Sequence, residues 1–135
     1  MAITVPQPTW NISAVDFGQP VANQLNALAP TAWTNLTLQN SWTALTACQY
    51  RKVNDIVYVR GSMQNGTPAA GTVLATLPSG FRPTATFYVT QPYYFGGWKH
   101  GVLQLEPTGD VKIGADALAG SAQPLSLDRI YFSIV

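Results

Sequence analysis

The densest group of side chains able to bind a ligand lies in residues 91–100, which read QPYYFGGWKH. This segment places tyrosine, phenylalanine and tryptophan rings, a lysine and a histidine around two glycines. Aromatic faces stack on the apolar faces of sugar rings, while hydroxyl, ammonium and imidazole groups hydrogen-bond hydroxyls or phosphates. The segment therefore indicates a carbohydrate-binding surface. Its candidate ligand-binding residues are Tyr93, Tyr94, Trp98, Lys99 and His100.

The same segment has a second interpretation, in which its rings fill the core or a contact between subunits. Successive residues of a β-strand point to opposite faces, so an extended segment cannot turn both Tyr93 and Tyr94 toward one ligand. At least one of the two rings is then expected inside the protein or between subunits.

Catalytic chemistry finds little support in the sequence. Histidine and cysteine occur once each, at His100 and Cys48, and zinc-ligand spacings are absent. A Gly-x-Ser-x-Gly elbow and a phosphate-binding loop are absent too. Glu106, Asp110 and Asp116 are close enough in sequence to suggest a glycosidase pair, but the first two flank a predicted turn, where carboxylates are simply solvated. We predict a protein that is not an enzyme and that uses no cofactor or metal.

Charged residues make up only 10% of the 135 residues, against about 25% in typical soluble domains. With 47% hydrophobic and 11% aromatic residues, the chain is too apolar for disorder and is long enough for one cored domain. The shortage of charge predicts that part of the surface is buried against other subunits. A net charge of +1 argues against nucleic-acid binding, which requires many basic residues to neutralise phosphates.

No segment is predicted to enter a membrane or to direct secretion. No apolar run approaches the ~18 residues of a transmembrane helix, and the start MAITVPQPTW lacks the basic and apolar regions of a signal peptide. We therefore expect synthesis in the cytoplasm. Cys48, the one cysteine, cannot form an intrachain disulfide and is expected to be a small buried hydrophobe.

Residues 1–32 are predicted to form an N-terminal arm that contains a short helix. Four prolines interrupt this stretch, and almost no β-alternation occurs in it. Within residues 16–30, Val21, Leu25 and Leu28 follow helical spacing and make one apolar stripe. Because so short a helix is marginal alone, the stripe needs a partner, either the β domain or the same helix in symmetry-related chains.

Residues 33–135 are predicted to form an all-β domain, either a sandwich or a small barrel. Short runs rich in Thr, Val, Ile, Tyr and Phe are separated by Gly, Pro, Asn and Asp. Hairpin or loop turns are expected at Asn54-Asp55, Thr108-Gly109 and residues 78–80. The predicted strands are 34–38, 43–53, 56–64, 71–77, 85–91, 101–105, 111–113 and 126–135.

Two stretches carry a resemblance to a known family. The first is residues 15–26, VDFGQPVANQLN. The second is an ordered series of segments that ends in an apolar C-terminal strand: NSWT around Trp42, then residues 50–61, 71–83, 101–113 and 127–135. Together these stretches resemble tail and baseplate proteins of bacteriophages, in particular the head domains of tail-tip receptor-binding proteins.

The resemblance implies an antiparallel β-sandwich or jelly-roll-like barrel that assembles as a homotrimer on the virion tail and takes part in host attachment. Its implied partners are host cell-surface polysaccharide, bound through the aromatic segment, and other virion tail proteins, contacted through the arm. The alternative is a structural tail or capsid accessory subunit whose aromatic residues and arm serve only assembly. The two functions differ in whether residues 91–100 stay exposed in the assembled protein.

Overall fold

A computed structural model describes residues 29–135, of which Thr31–Val135 form one unit. The predicted arm helix with Val21, Leu25 and Leu28 lies outside the described residues. Within residues 29–135 the chain forms nine strands and no helix, so this range contains no helix that could cross a membrane. The strands are β1 (Thr34–Asn35), β2 (Thr43–Val53), β3 (Ile56–Gln64), β4 (Val73–Thr76), β5 (Phe87–Tyr94), β6 (Trp98–Leu105), β7 (Asp110–Ile113), β8 (Leu125–Ser126) and β9 (Ile130–Ser133).

All strand pairs are antiparallel and belong to one sheet, in the order β1-β2-β3-β8-β5-β6-β7-β4, with β9 paired to β3. The sheet curls, because the chain just after β1 returns to the far edge strand. Leu38 forms a bridge with Ala75 of β4, and the Gln39 amide donates a hydrogen bond to the Leu74 carbonyl at 2.9 Å. The predicted all-β antiparallel fold is confirmed, in the form of a curled, barrel-like sheet.

The core fills the concave side of this sheet. In β3, Val57 and Val59 are buried while Tyr58 and Arg60 point outward, as the period-two pattern predicts. Cys48 is also buried, and its burial raises the pKa of the thiol to about 11. This confirms Cys48 as a small hydrophobe of the core, because a protonated, enclosed thiol is unreactive.

The predicted turns are confirmed. Val53 pairs with Ile56 across a two-residue turn in which Asn54 has φ 57°. Gly109 has φ 93°, and its amide donates to the Glu106 carbonyl at 2.8 Å between β6 and β7. Residues 78–81 turn with Gly80 at φ 90°. Asn and Gly occupy these positions because positive φ strains other residues.

The C-terminal strand differs from its prediction. Instead of one strand over 126–135, β8 and β9 are separated by a kink in which Arg129 has φ 68°. The kink is stabilised from β3: the Gly61 amide donates to the Asp128 carboxylate, and the Leu127 amide donates to the Gly61 carbonyl, each at 2.8 Å. These hydrogen bonds take the place of regular strand pairing at the kink. Because they join residues far apart in sequence, the local sequence pattern could not predict them.

Candidate functional site

The aromatic segment 91–100 forms the end of a β-hairpin. β5 continues to Tyr94 and β6 begins at Trp98, so both strands extend further toward the loop than the predicted 85–91 and 101–105, whereas β5 begins at Phe87, two residues later than predicted. The loop between them consists of Phe95 and the two glycines, and the Phe95 amide donates to the Gly97 carbonyl at 3.0 Å. Pro92 lies within β5, opposite His100. Proline is a strand breaker in most contexts, which is why the pattern placed the strand end too early.

The outer face of this hairpin carries three of the five predicted binding residues. Tyr94 lies opposite Trp98, and the next pair on the same face is Pro92 with His100. Tyr94 and Trp98 are 43% and 67% exposed, and their rings meet edge to face with centroids 5.6 Å apart. We call Tyr94 and Trp98 the aromatic pair. It presents a solvent-facing ring surface beside a histidine.

Tyr93 and Lys99 lie opposite each other on the other face of the hairpin. Tyr93 is only 4% exposed, and its hydroxyl accepts a hydrogen bond from the Ala119 amide at 2.9 Å. Tyr93 is thus a core residue, while Lys99 is exposed at the end of the hairpin but points away from the aromatic pair. The alternation of the two tyrosines follows the expectation that one of them faces inward.

The end of the hairpin is held by the segment between β7 and β8. The Tyr94 amide donates to the Pro124 carbonyl and the Tyr94 carbonyl accepts from the Gln123 amide, both at 3.0 Å. Gly120 lies against the Phe95 ring so closely that a β-carbon there would come within 2.4 Å of it. This support holds the backbone of Tyr94 and the Phe95 ring at the end of the hairpin.

A groove of about 650 Å³ adjoins the aromatic pair. It exists because β5 pairs with β8 only at Tyr93 and Leu125, after which β9 follows β3 instead. The groove shares Pro92 and His100 with the outer face of the hairpin, so the two features are continuous. Its lining residues are Val89, Thr90, Gln91, Pro92, His100, Ser126, Asp128 and Arg129.

The polar groups of the groove are oriented by hydrogen bonds. Gln91 is 6% exposed, and its amide nitrogen donates to the carbonyls of Ser126 at 2.9 Å and Asp128 at 3.1 Å. Gln91 thereby holds the backbone at the start of the kink between β8 and β9 beside the groove. One carboxylate oxygen of Asp128 is occupied by the Gly61 amide. The groove therefore combines the oriented Asp128 carboxylate with the Arg129 guanidinium, a strong donor.

Asp128 and Arg129 were not among the residues predicted for the site. The available signal was a charged pair inside the apolar run LSLDRIYF, in a chain that has few charges. A pair of adjacent charges in a strand that is otherwise apolar indicates a kink or a site. Placing that pair beside His100 required the sheet order, which brings β8 next to β5.

Two of the three acidic residues considered for catalysis have structural partners. Glu106 forms an ion pair with Lys112 and accepts a hydrogen bond from Gln104 at 2.6 Å. Asp110 accepts from the Thr76 hydroxyl at 2.9 Å. Among residues 29–135, no group of three or more His, Cys, Asp or Glu side chains could hold a metal ion.

Comparison with known proteins identifies the fold. No protein-family profile and no curated sequence matches the chain. The receptor binding protein of Listeria phage PSA is similar in structure, with a TM-score of 0.70 and 19% identity over 98% of this chain and 79% of that one. The head domain of lactococcal phage bIL170, a receptor binding domain, is similar with a TM-score of 0.59 and 20% identity over 77% of this chain and 98% of that one.

The chain therefore has the fold of phage receptor-binding head domains. This confirms the resemblance drawn from the order of its sequence segments. At 19–20% identity the likeness concerns the fold, so the function has to be argued from the site itself.

Proposed function

We propose that the chain is the receptor-binding head of a phage tail and attaches the virion to its host by non-covalent binding of cell-surface glycan. The observation that carries this proposal is the continuity of the aromatic pair with the polar groove through His100. The fold, shared with receptor binding proteins of two phages, supports the same function.

The mechanism follows from the two parts of the surface. A sugar ring stacks on the Trp98 indole, and its hydroxyl groups then reach His100 and the groove. Asp128 accepts hydrogen bonds from hydroxyls, whereas Arg129 donates to ring and hydroxyl oxygens or to a phosphate of a teichoic-acid-like polymer. The site is shallow and forms no covalent bond with the glycan, so each contact is weak. The glycan is bound without being cleaved.

Attachment is strengthened by assembly into a homotrimer, with residues 1–32 joining the head to other virion tail proteins. Support for assembly comes from the low charge and from apolar side chains left exposed on the head, among them Leu45 and Val135. Three heads bring several weak sites to one wall, and effective concentration converts them into tight binding.

Multi-angle light scattering of the purified protein tests the assembly. We expect a single species at three times the 14.5 kDa mass of one chain. Its mass should not fall on moderate dilution, since apolar interfaces bury enough surface to be stable. A single 14.5 kDa species would contradict the trimer and the interpretation of the low charge.

Binding to purified bacterial cell walls tests the proposed function. We expect saturable binding to walls from a subset of strains in a panel that includes Listeria and Lactococcus. The glycan fraction extracted from those walls should compete for binding. Periodate oxidation, which cleaves vicinal diols, should abolish it. Protease treatment of the same walls is the matched control and should have no effect.

Three results would contradict this proposal. Absence of binding to every wall in the panel would favour the structural tail or capsid subunit. Binding that survives periodate but is lost after protease would indicate a protein receptor. Shortening of the bound glycan during the assay would indicate an enzyme.

A further inference from the structure

Tyr88 lies on the same outer face as the aromatic pair, at the opposite end of β5. It is 62% exposed and pairs with Gln104 of β6. Thr90 and Pro92, which line the groove, are the residues between Tyr88 and Tyr94 on this face. Tyr88 and the aromatic pair thus lie at the two ends of one continuous surface.

Tyr88 has polar neighbours of the kind that accompany sugar-stacking rings. Gln104, its cross-strand partner, donates to Glu106 at 2.6 Å, and Glu106 is paired with Lys112. Lys112 in turn lies opposite Gln104 on β7. The same arrangement occurs at the Trp98 end of this surface, where an exposed ring also lies beside polar side chains.

The distance between the two rings sets the size of the ligand. Tyr94 lies six positions along β5 from Tyr88, and at about 3.4 Å per residue this corresponds to about 20 Å. An extended glycan must contribute several sugar residues to cover that length. A monosaccharide could contact only one end of the surface.

We infer that the outer face of β5 and β6 binds a segment of linear polysaccharide along its length, with Tyr88 as a second stacking site beyond the groove. This inference rests on the proposed glycan binding. It names the substrate class as an internal stretch of polymer rather than a terminal sugar. The Tyr88 ring receives the part of the chain that extends past Val89 and Thr90.

The test uses fragments of a wall polysaccharide that binds the protein, prepared by partial acid hydrolysis and separated by length. Isothermal titration should show affinity rising with fragment length until the fragment spans about 20 Å and then levelling. Tyr88→Ala should lower affinity for the long fragments about threefold to tenfold and leave affinity for mono- and disaccharides unchanged. Tyr88→Phe, which keeps the ring, should bind the long fragments nearly as well as the wild type does.

Tyr131→Ala is the matched control, because Tyr131 is 64% exposed but belongs to β9. It should bind all fragments as the wild type does. Affinity that is independent of length, or an equal effect of Tyr88→Ala at every length, would overturn the second stacking site but leave glycan binding intact. Absence of wild-type binding to any fragment and to the intact polymer would overturn both. A change of oligomeric mass in Tyr88→Ala would place Tyr88 in a subunit contact and overturn the inference.

Discussion

Trp98→Ala is expected to weaken binding to the wall polysaccharide at least about tenfold while leaving the unfolding temperature unchanged. Trp98 is the most exposed ring of the hairpin, and within residues 29–135 its one aromatic partner is Tyr94, which it meets at the ring edge. Removing the indole therefore costs the folded protein little. A ligand, in contrast, loses the largest apolar area available to it, and exposed tryptophans are frequent hot spots of recognition.

The measurement is a titration of wild type and variant with the same polysaccharide, alongside a thermal unfolding curve. Trp98→Phe should recover part of the affinity because a smaller ring still stacks. Tyr131→Ala, which removes an exposed ring outside the hairpin, should bind normally. If Trp98→Ala bound the polysaccharide with wild-type affinity, the indole would not be a stacking site for sugar. Equal losses in Trp98→Ala and Tyr131→Ala would show that the effect is not local.

Gly61→Ala is expected to lower the free energy of unfolding by about 3 kcal/mol or more. Gly61 has φ 116°, a conformation that residues with a β-carbon rarely adopt. An added β-carbon would lie 2.4 Å from the Ala47 carbonyl oxygen and 2.6 Å from the Cys48 α-carbon. Both are backbone atoms, so no side-chain rotation relieves the clash and β2 and β3 must separate.

The same substitution is expected to disturb the groove. The Gly61 amide holds Asp128, and its carbonyl holds the Leu127 amide at the kink between β8 and β9. Displacing Gly61 therefore moves a groove carboxylate as well as two core strands. We expect Gly61→Ala to lose glycan binding even at temperatures at which it remains folded.

Chemical denaturation of Gly61→Ala and Gly71→Ala distinguishes the cost of a positive φ from the cost of a steric clash. Gly71 also has positive φ, at 77°, but a β-carbon there would meet no atom within 4 Å. Gly71→Ala should lose only about 1 kcal/mol, the cost of the backbone conformation. Equal losses in the two variants would mean that the contact with β2 is not responsible. Wild-type stability of Gly61→Ala would contradict the packing around Gly61.

Much of the fold follows from local signals in the sequence. Period-two alternation places Val57 and Val59 inside and Tyr58 outside, and the same rule separates Tyr93 from Tyr94. Asn54 and Gly109 mark their turns because positive φ restricts which residues can be there. These features depend on neighbours in sequence, so the sequence alone is enough to predict them.

The groove depends on contacts that are distant in sequence. The Gly61 amide reaches Asp128, and the Gln91 amide group reaches the Ser126 carbonyl. No local pattern encodes these pairs, which arise only when β8 lies between β3 and β5. The aromatic segment could therefore be predicted as a candidate, but its acidic and basic partners could not.

A crystal structure of the protein with a bound polysaccharide fragment tests the central claim most directly. We predict a sugar ring stacked on Trp98, with hydroxyl groups hydrogen-bonded to His100 and to Asp128 or Arg129. The aromatic pair should remain outside every subunit contact. A fragment bound at another surface, such as the Tyr58 and Tyr131 pair on β3 and β9, or an aromatic pair buried between subunits, would contradict the claim.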